Sequence, residues 1–204
     1  AKKVTVDSSS IFKNQFIEGI FTITDSLIFT NSKFYTNQGG LLSNSGSGGV
    51  SSVLINKSLF IDNTRTQGNS SFGNYMTINA QRYAVSQSKF INNSYTVFGG
   101  SGAGYSRFIN NLFLNNTKSI ERNPQVTSND SVILIHNSFI QNANPTSAVN
   151  IYNTPMPAGS SGYYPWTDMS FFPAGNWKGL FYNNIFYGNI RFNKKILPKC
   201  YRQC

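Results

Sequence analysis

The chain offers few side chains for acid–base chemistry. Its acids are Asp7, Glu18, Asp25, Asp62, Glu121, Asp130 and Asp168, and its one histidine is His136. Glycosidic hydrolysis needs two carboxylates close together, one of them held protonated. No two of these acids are neighbours in sequence, and no Asp/Glu cluster resembles a calcium set. Proton abstraction by Arg82, Arg107 or Arg122 beside Tyr83 or Tyr105 is the other available chemistry, but spacing selects no set among them. His136 reads as one more polar surface residue. Cys200 and Cys204, the only cysteines, are candidates for a local or intermolecular disulfide. With a single histidine they make a poor zinc set, so neither metal nor cofactor is expected.

The segment from about Thr154 to Lys178 stands apart. It contains both tryptophans and four prolines, at positions 155, 157, 165 and 173. Aromatic faces suit sugar rings, and binding commonly lives on loops carried by a rigid scaffold. Tyr163, Tyr164, Trp166 and Trp177 are therefore candidate ligand-binding residues, with Asp168 and Lys178 as polar contacts. The plainer reading has these aromatics folding back over a side of the scaffold.

The elements that position these residues are written in a repeat. A nine-residue phrase recurs with a Phe at its centre, at Phe16, Phe34, Phe60, Phe90, Phe113, Phe139 and Phe186. The position after the Phe reads Ile17, Tyr35, Ile61, Ile91, Leu114, Ile140 and Tyr187. Two before it stand Asn14, Ser32, Ser58, Ser88, Asn111, Asn137 and Asn184, and three after it Gly19, Asn37, Asn63, Asn93, Asn116, Asn142 and Asn189. Spacings of 18, 26, 30, 23, 26 and 47 give a unit of about two dozen residues, and the last gap is read as two units with one copy degraded.

Short apolar pieces bounded by Asn, Ser and Gly are strand-and-turn signals, and no window sustains a helical period. Stacked repeats join their apolar faces into one core. The apolar columns, including the one after the Phe, are expected to face inward. Positions three before and two after the Phe are expected to be polar and outward. A buried amide column is satisfied when copies in successive coils bond to one another. The expected fold is all-β, a right-handed parallel β-helix solenoid of about 7–8 coils with Asn/Ser ladders.

Forms such as Asn137-Ser138-Phe139-Ile140-Gln141-Asn142 and Ser88-Lys89-Phe90-Ile91-Asn92-Asn93 resemble the repeat of the pectin-lyase-like superfamily. A weaker likeness, carried by Phe34 to Leu42, is to polymorphic outer-membrane adhesin repeats. The first resemblance implies polysaccharide lyase or hydrolase activity, against which the acids above are sparse.

Length and composition set the remaining bounds. A chain of 204 residues suits one β-helix domain, 1–193, followed by a basic Cys-containing tail or cap, 194–204. No apolar run is long enough for a transmembrane helix. The start at Ala1 without Met or an apolar leader reads as a mature or trimmed product. Sequons at Asn56, Asn69, Asn92, Asn115 and Asn129 are candidate glycosylation sites and lean towards a secreted or cell-surface location. The net charge of +10 suits a polyanion or an acidic partner. Nucleic acid is disfavoured, because the aromatics recur in core columns rather than among basic residues.

The function expected is a non-catalytic extracellular or surface component, structural, adhesive or assembly-forming, that self-associates through the solenoid ends and tail. The alternatives are a lyase or hydrolase acting on an acidic polysaccharide, and a carbohydrate-binding module built on the 163–177 aromatics.

Overall fold

A computed structural model describes residues 2–15, 21–22, 25–39, 42–43, 50–64, 80–94, 96–101, 105–116, 118–123, 131–142, 162–163, 170–171 and 178–187. These residues form an all-β parallel solenoid. Its first wall is a seven-stranded parallel sheet of Lys3–Asp7, Ser26–Thr30, Val50–Asn56, Ala80–Ser86, Tyr105–Ile109, Ser131–Ile135 and Lys178–Tyr182. The second wall is another seven-stranded parallel sheet of short strands: Ser10–Phe12, Lys33–Tyr35, Leu59–Ile61, Lys89–Ile91, Leu112–Leu114, Ser138–Ile140 and Ile185–Tyr187.

The third wall is shorter. Thr96–Ser101, Lys118–Asn123 and Ser170–Phe171 pair in parallel, and Gly162–Tyr163 adds an antiparallel edge. Phe21–Thr22 and Leu42–Ser43 form a separate parallel pair. A continuous three-walled path is thus described for about three turns, not for the 7–8 coils expected from the repeat. Directly after the second ladder Gln15, Gln38 and Thr64 still pair in register, but beyond them the connecting segments differ in length from coil to coil, so the sequence sets no common register for a third wall along the whole stack.

Two left-handed corners flank each second-wall strand up to Ser138–Ile140, and Asn183 supplies the leading corner of Ile185–Tyr187. Among the described residues, thirteen non-glycine positions have φ between 49° and 55°. They occupy two positions, three before and two after the centre of the strand: Asn31 and Thr36, Lys57 and Asp62, Gln87 and Asn92, and so on. Each costs roughly 1–2 kcal/mol relative to a right-handed backbone. The residue following each corner turns inward and begins a hydrogen-bonded ladder that holds the bend.

The second of these ladders is entirely Asn. Nδ2 of Asn14, Asn37, Asn63, Asn93 and Asn116 each donates to Oδ1 of the next Asn in the series, ending at Asn142, over 2.8–3.1 Å. Each backbone N–H donates to the same oxygen. From Asn37 onward, each Nδ2 also donates to a carbonyl one coil back, such as Phe60 O for Asn93. Every amide in the interior of the series is therefore satisfied while buried, as a low-dielectric interior requires.

The first ladder changes chemistry midway. N–H groups of Ser9, Ser32 and Ser58 donate to the next Ser Oγ, then Ser88 donates to Asn111 Oδ1, and Asn111, Asn137 and Asn184 continue as amides. Ser32, Ser58 and Ser88 hydroxyls instead return to carbonyls two residues earlier.

Between the ladders lies a column of parallel rings. Phe34, Phe60, Phe90, Phe113 and Phe139 have successive centroids 4.8–4.9 Å apart and planes within 13°. That separation is the strand spacing, so the rings are displaced rather than eclipsed. Phe29 and Phe108 from the first wall and Phe98 from the third meet this column edge-on.

Three expectations are corrected. The first repeat is centred on Ile11, not Phe16: Ile11 pairs with Phe34, and Ser9 and Asn14 enter the two ladders. This places Asn14 in the Asn37 column and Lys13 beside Thr36, because a ladder position needs a polar side chain that Gly19 does not have. Phe16 and Gly19 lie outside the described residues. Next, the 47-residue gap is one step, since Ser138–Ile140 pairs directly with Ile185–Tyr187 and Ser131–Ile135 with Lys178–Tyr182. The interruption is an insertion within one coil, not a degraded copy.

The third correction concerns the apolar column after the Phe, which faces out. In a three-residue strand whose centre points inward, both flanks must point outward. Tyr35, Ile61, Ile91, Leu114 and Ile140 are half-buried, and Phe12 and Tyr187 are exposed.

Candidate functional site

That outward column makes the most distinctive surface of the described molecule. Seven large apolar side chains, from Phe12 to Tyr187, form a ridge along the outside of the second wall. Its two end residues are barer, with Phe12 47% and Tyr187 68% accessible. Phe12 and Tyr35 stack with centroids 4.8 Å apart and planes 2° apart, so the ring geometry of the core is repeated outside.

Two residues earlier on the same strands the outward position reads Ser10, Lys33, Leu59, Lys89, Leu112, Ser138 and Ile185. Charge is confined to the N-terminal half, where the exposed Lys57 corner adds to Lys33 and Lys89. The C-terminal half of both columns is uncharged. Ile185, 58% accessible, adjoins Tyr187 there, while Leu180 and Tyr182 are exposed on the first wall of the same coil.

A polar rail borders the ridge at the following corner. Asn92 Nδ2 donates to Asp62 Oδ1 at 3.0 Å, and Asn115 Nδ2 donates to Asn92 Oδ1 at 2.9 Å. At the opposite corner the exposed Asp7 carboxylate accepts from Thr30 Oγ1, from Asn31 Nδ2 at 3.2 Å and from Ser8 Oγ at 3.2 Å. The Thr30 hydroxyl is the leading cause holding its pKa below the usual carboxylate value, and the Asn31 amide and Ser8 add to it.

The candidate catalytic residues do not converge. Tyr83 is buried against Phe98 and Phe108, while its strand neighbour Arg82 is exposed on the outer face. Tyr105 and Arg107 are exposed on the first wall, and Arg122 belongs to a third-wall strand. His136 sits at an exposed left-handed corner, edge-on to Tyr182 with centroids 5.7 Å apart. Among the described residues, no group of three or more His, Cys, Asp or Glu is arranged to hold a metal.

Of the candidate ligand-binding residues, Tyr163 lies on the antiparallel edge opposite Ser170, and Lys178 starts the last first-wall strand opposite Ser131. Their backbones belong to different sheets. Tyr164, Trp166, Asp168 and Trp177 lie outside the described residues, as do Cys200, Cys204, Asn69 and Asn129.

The other sequons are placed. Asn92 and Asn115 are exposed corner residues already bonded to each other. Asn56 is half-buried with a shielded Oδ1 that has no hydrogen-bond partner, and its sequon partner Ser58 is a ladder residue bonded to Asn56 O. No helix among the described residues is long and apolar enough to cross a membrane.

No protein-family description, curated protein or solved structure matches the chain. The ridge itself was present in the sequence as an apolar column. Counting the three-residue strand length between corners is the signal that turns it outward.

Proposed function

We propose that the chain is a non-catalytic structural component of an extracellular or cell-surface assembly, built as a right-handed β-helix of the pectin-lyase-like kind. The observation that carries this reading is the outward ridge. Large apolar side chains repeated at strand spacing offer area for adhesion or assembly, and apart from the Tyr35 and Tyr187 hydroxyls at opposite ends of the stack they carry no proton donor, base or nucleophile. The ladders beneath hold that surface rigid, because each inward amide is bonded to the coil on either side.

Incubation with uronate polymers, following absorbance from new unsaturated chain ends, tests the proposal. No turnover is expected. Steady product formation proportional to protein overturns it. Saturable binding without turnover, lost in Trp166→Ala, moves the function to the aromatic segment instead.

A further inference from the structure

We infer that the N-terminal end of the solenoid takes the C-terminal coil of a second copy of this chain, so that copies stack head to tail. This rests on the assembly reading above and names its partner. The first coil is built like one from the middle of the stack. Val4, Val6 and Ile11 pack against the core but are only half-buried, whereas Leu27, Phe29 and Phe34, their partners one coil on, are wholly buried. Its edge strands are Lys3–Asp7 and Ser10–Phe12, a template for a further parallel coil.

The polarity of the ladders selects the occupant. In both, every N–H donates towards the C-terminal end, from Ser9 to Ser32 and Asn14 to Asn37 at the start, and from Asn137 to Asn184 at the close. Among the described residues, nothing donates to Ser9 Oγ or Asn14 Oδ1. At the other end Asn184 gives one Nδ2 hydrogen to Leu134 O, and its N–H has no acceptor among the described residues. One end thus shows acceptors and the other donors, so opposite ends match and like ends do not. Asn184 and Asn189 stand five residues apart in sequence, as Ser9 and Asn14 do. The sequence from residue 188 on holds no Ser or Asn pair at that spacing, so the tail does not reproduce the donor set.

Continuing the register of the stack fixes the contact. Within the chain, His136 N–H donates to Tyr182 O, and Ile185 N–H donates back to Asn137 O. Across the junction the same pattern runs from Asn183 N–H to Asp7 O of the next copy, from Asn184 N–H to Ser9 Oγ, and from Ser10 N–H back to Asn184 O. Tyr187 then covers Phe12 and lengthens the ring stack that Phe12 makes with Tyr35. The same register opposes one pair of like charges, Lys178 with Lys3. Such a contact is heterologous and does not close, so it builds lengthening stacks rather than a dimer.

Sedimentation velocity of the full chain in a Cys200→Ser/Cys204→Ser background, across its accessible concentration range, tests the stacking. The expected result is an average mass that climbs with concentration past that of a dimer. Ser10→Pro removes the N–H whose counterparts on Lys33 and Leu59 bond the preceding coil, and association falls about tenfold or more. Lys3→Glu sets a carboxylate opposite Lys178 and strengthens association about threefold, the scale of an exposed ion pair. Lys89→Glu, the same charge change in mid-stack, leaves it unchanged, and circular-dichroism melts verify that the variants are folded. A short thiol cross-linker joins Phe12→Cys chains to Tyr187→Cys chains in a mixture, and joins neither to itself.

A monomer at all concentrations, a mass that levels off at a dimer, association indifferent to Ser10→Pro, or efficient cross-linking of Phe12→Cys with itself overturns the inference. A monomer leaves the non-catalytic reading standing, because that reading is tested by turnover.

Discussion

Asn137 Nδ2 donates to Asn184 Oδ1 at 3.0 Å across 47 residues of sequence. The Asn137 backbone N–H reaches the same oxygen at 3.0 Å. One side chain therefore closes the coil that carries the long insertion, as securely as its counterparts close coils half that length. Asn184→Ala should strand the Asn137 backbone N–H and leave its Nδ2 with Phe108 O alone, at about 1–3 kcal/mol for the unsatisfied buried group. Amide hydrogen exchange checks this. Protection at Asn137 should fall sharply in the variant, whereas unchanged protection would mean that the last strand is not seated on the ladder.

Asn116 occupies the middle of the all-Asn ladder, accepting from Asn93 and donating to Asn142 Oδ1 and Phe90 O. Asn116→Ala should destabilise the fold by several kcal/mol, since donors on Asn93 and acceptors on two other groups lose their partner together. Asn116→Asp keeps the acceptor but not the donors, and its carboxylate faces two oxygens. It should also be destabilised near neutral pH and recover in part under acid, when the protonated form can donate again. Urea denaturation of the three proteins at two pH values measures both effects, and an Asn116→Asp protein as stable as the parent would refute the ladder's donor role.

The ladders were legible in the sequence because an inward amide has few ways to be satisfied, and a copy of itself at strand spacing is the simplest. The Phe column was legible for a similar reason, since its aromatic identity persists from Phe34 to Phe139. Register at the first repeat was not. Ile11 replaces the expected ring, and a nearby Phe16 offers a false centre, so the pattern is recovered only by giving Ser9 and Asn14 priority over ring identity. The outward ridge was misread because Ile61 and Ile91 look like core residues when composition is weighed without strand length. The third wall was largely illegible, for Thr96–Ser101 and Lys118–Asn123 share only the single inward pair Phe98 and Ile120, too little to announce their pairing.

Phe90 stacks on Phe60 and Phe113 and meets Phe98 edge-on, and it is wholly buried. Phe90→Ala should cost about 3–5 kcal/mol through lost burial and an unfilled cavity, and Phe90→Leu appreciably less. Chemical denaturation measures both. Equal costs would imply that ring geometry, rather than filled volume, dominates the column.

Asp7 gives a pH signature at the first corner. Its folded pKa is lowered, chiefly by the Thr30 hydroxyl. The stabilisation is therefore present above the unfolded carboxylate pKa of about 3.9 and is lost as pH falls through the lower folded value. The stability gap between the parent and Asp7→Asn should close over that acid range, and Thr30→Val should bring the Asp7 carboxyl resonance back towards its ordinary midpoint. A midpoint unmoved by Thr30→Val would remove the hydroxyl as the cause.

Thr36 is the only β-branched residue among the thirteen left-handed corners of the described residues, with φ of 52°. Its column otherwise holds Lys13, Asp62, Asn92, Asn115 and Gln141, and Asn tolerates this backbone region better than a β-branched side chain does. The Thr36 hydroxyl donates to Tyr35 O at 2.7 Å, which offsets part of the strain. Thr36→Asn should stabilise the fold by about 0.5–1 kcal/mol, a fraction of the usual cost of such strain. Thr36→Gly relieves the same clash but adds freedom to the unfolded chain, so it should gain less. Thr36→Val keeps the branching and removes the hydroxyl, and it should be the least stable of the four. Thermal melts rank them, and a Thr36→Asn protein less stable than the parent would show that the corner holds threonine without strain.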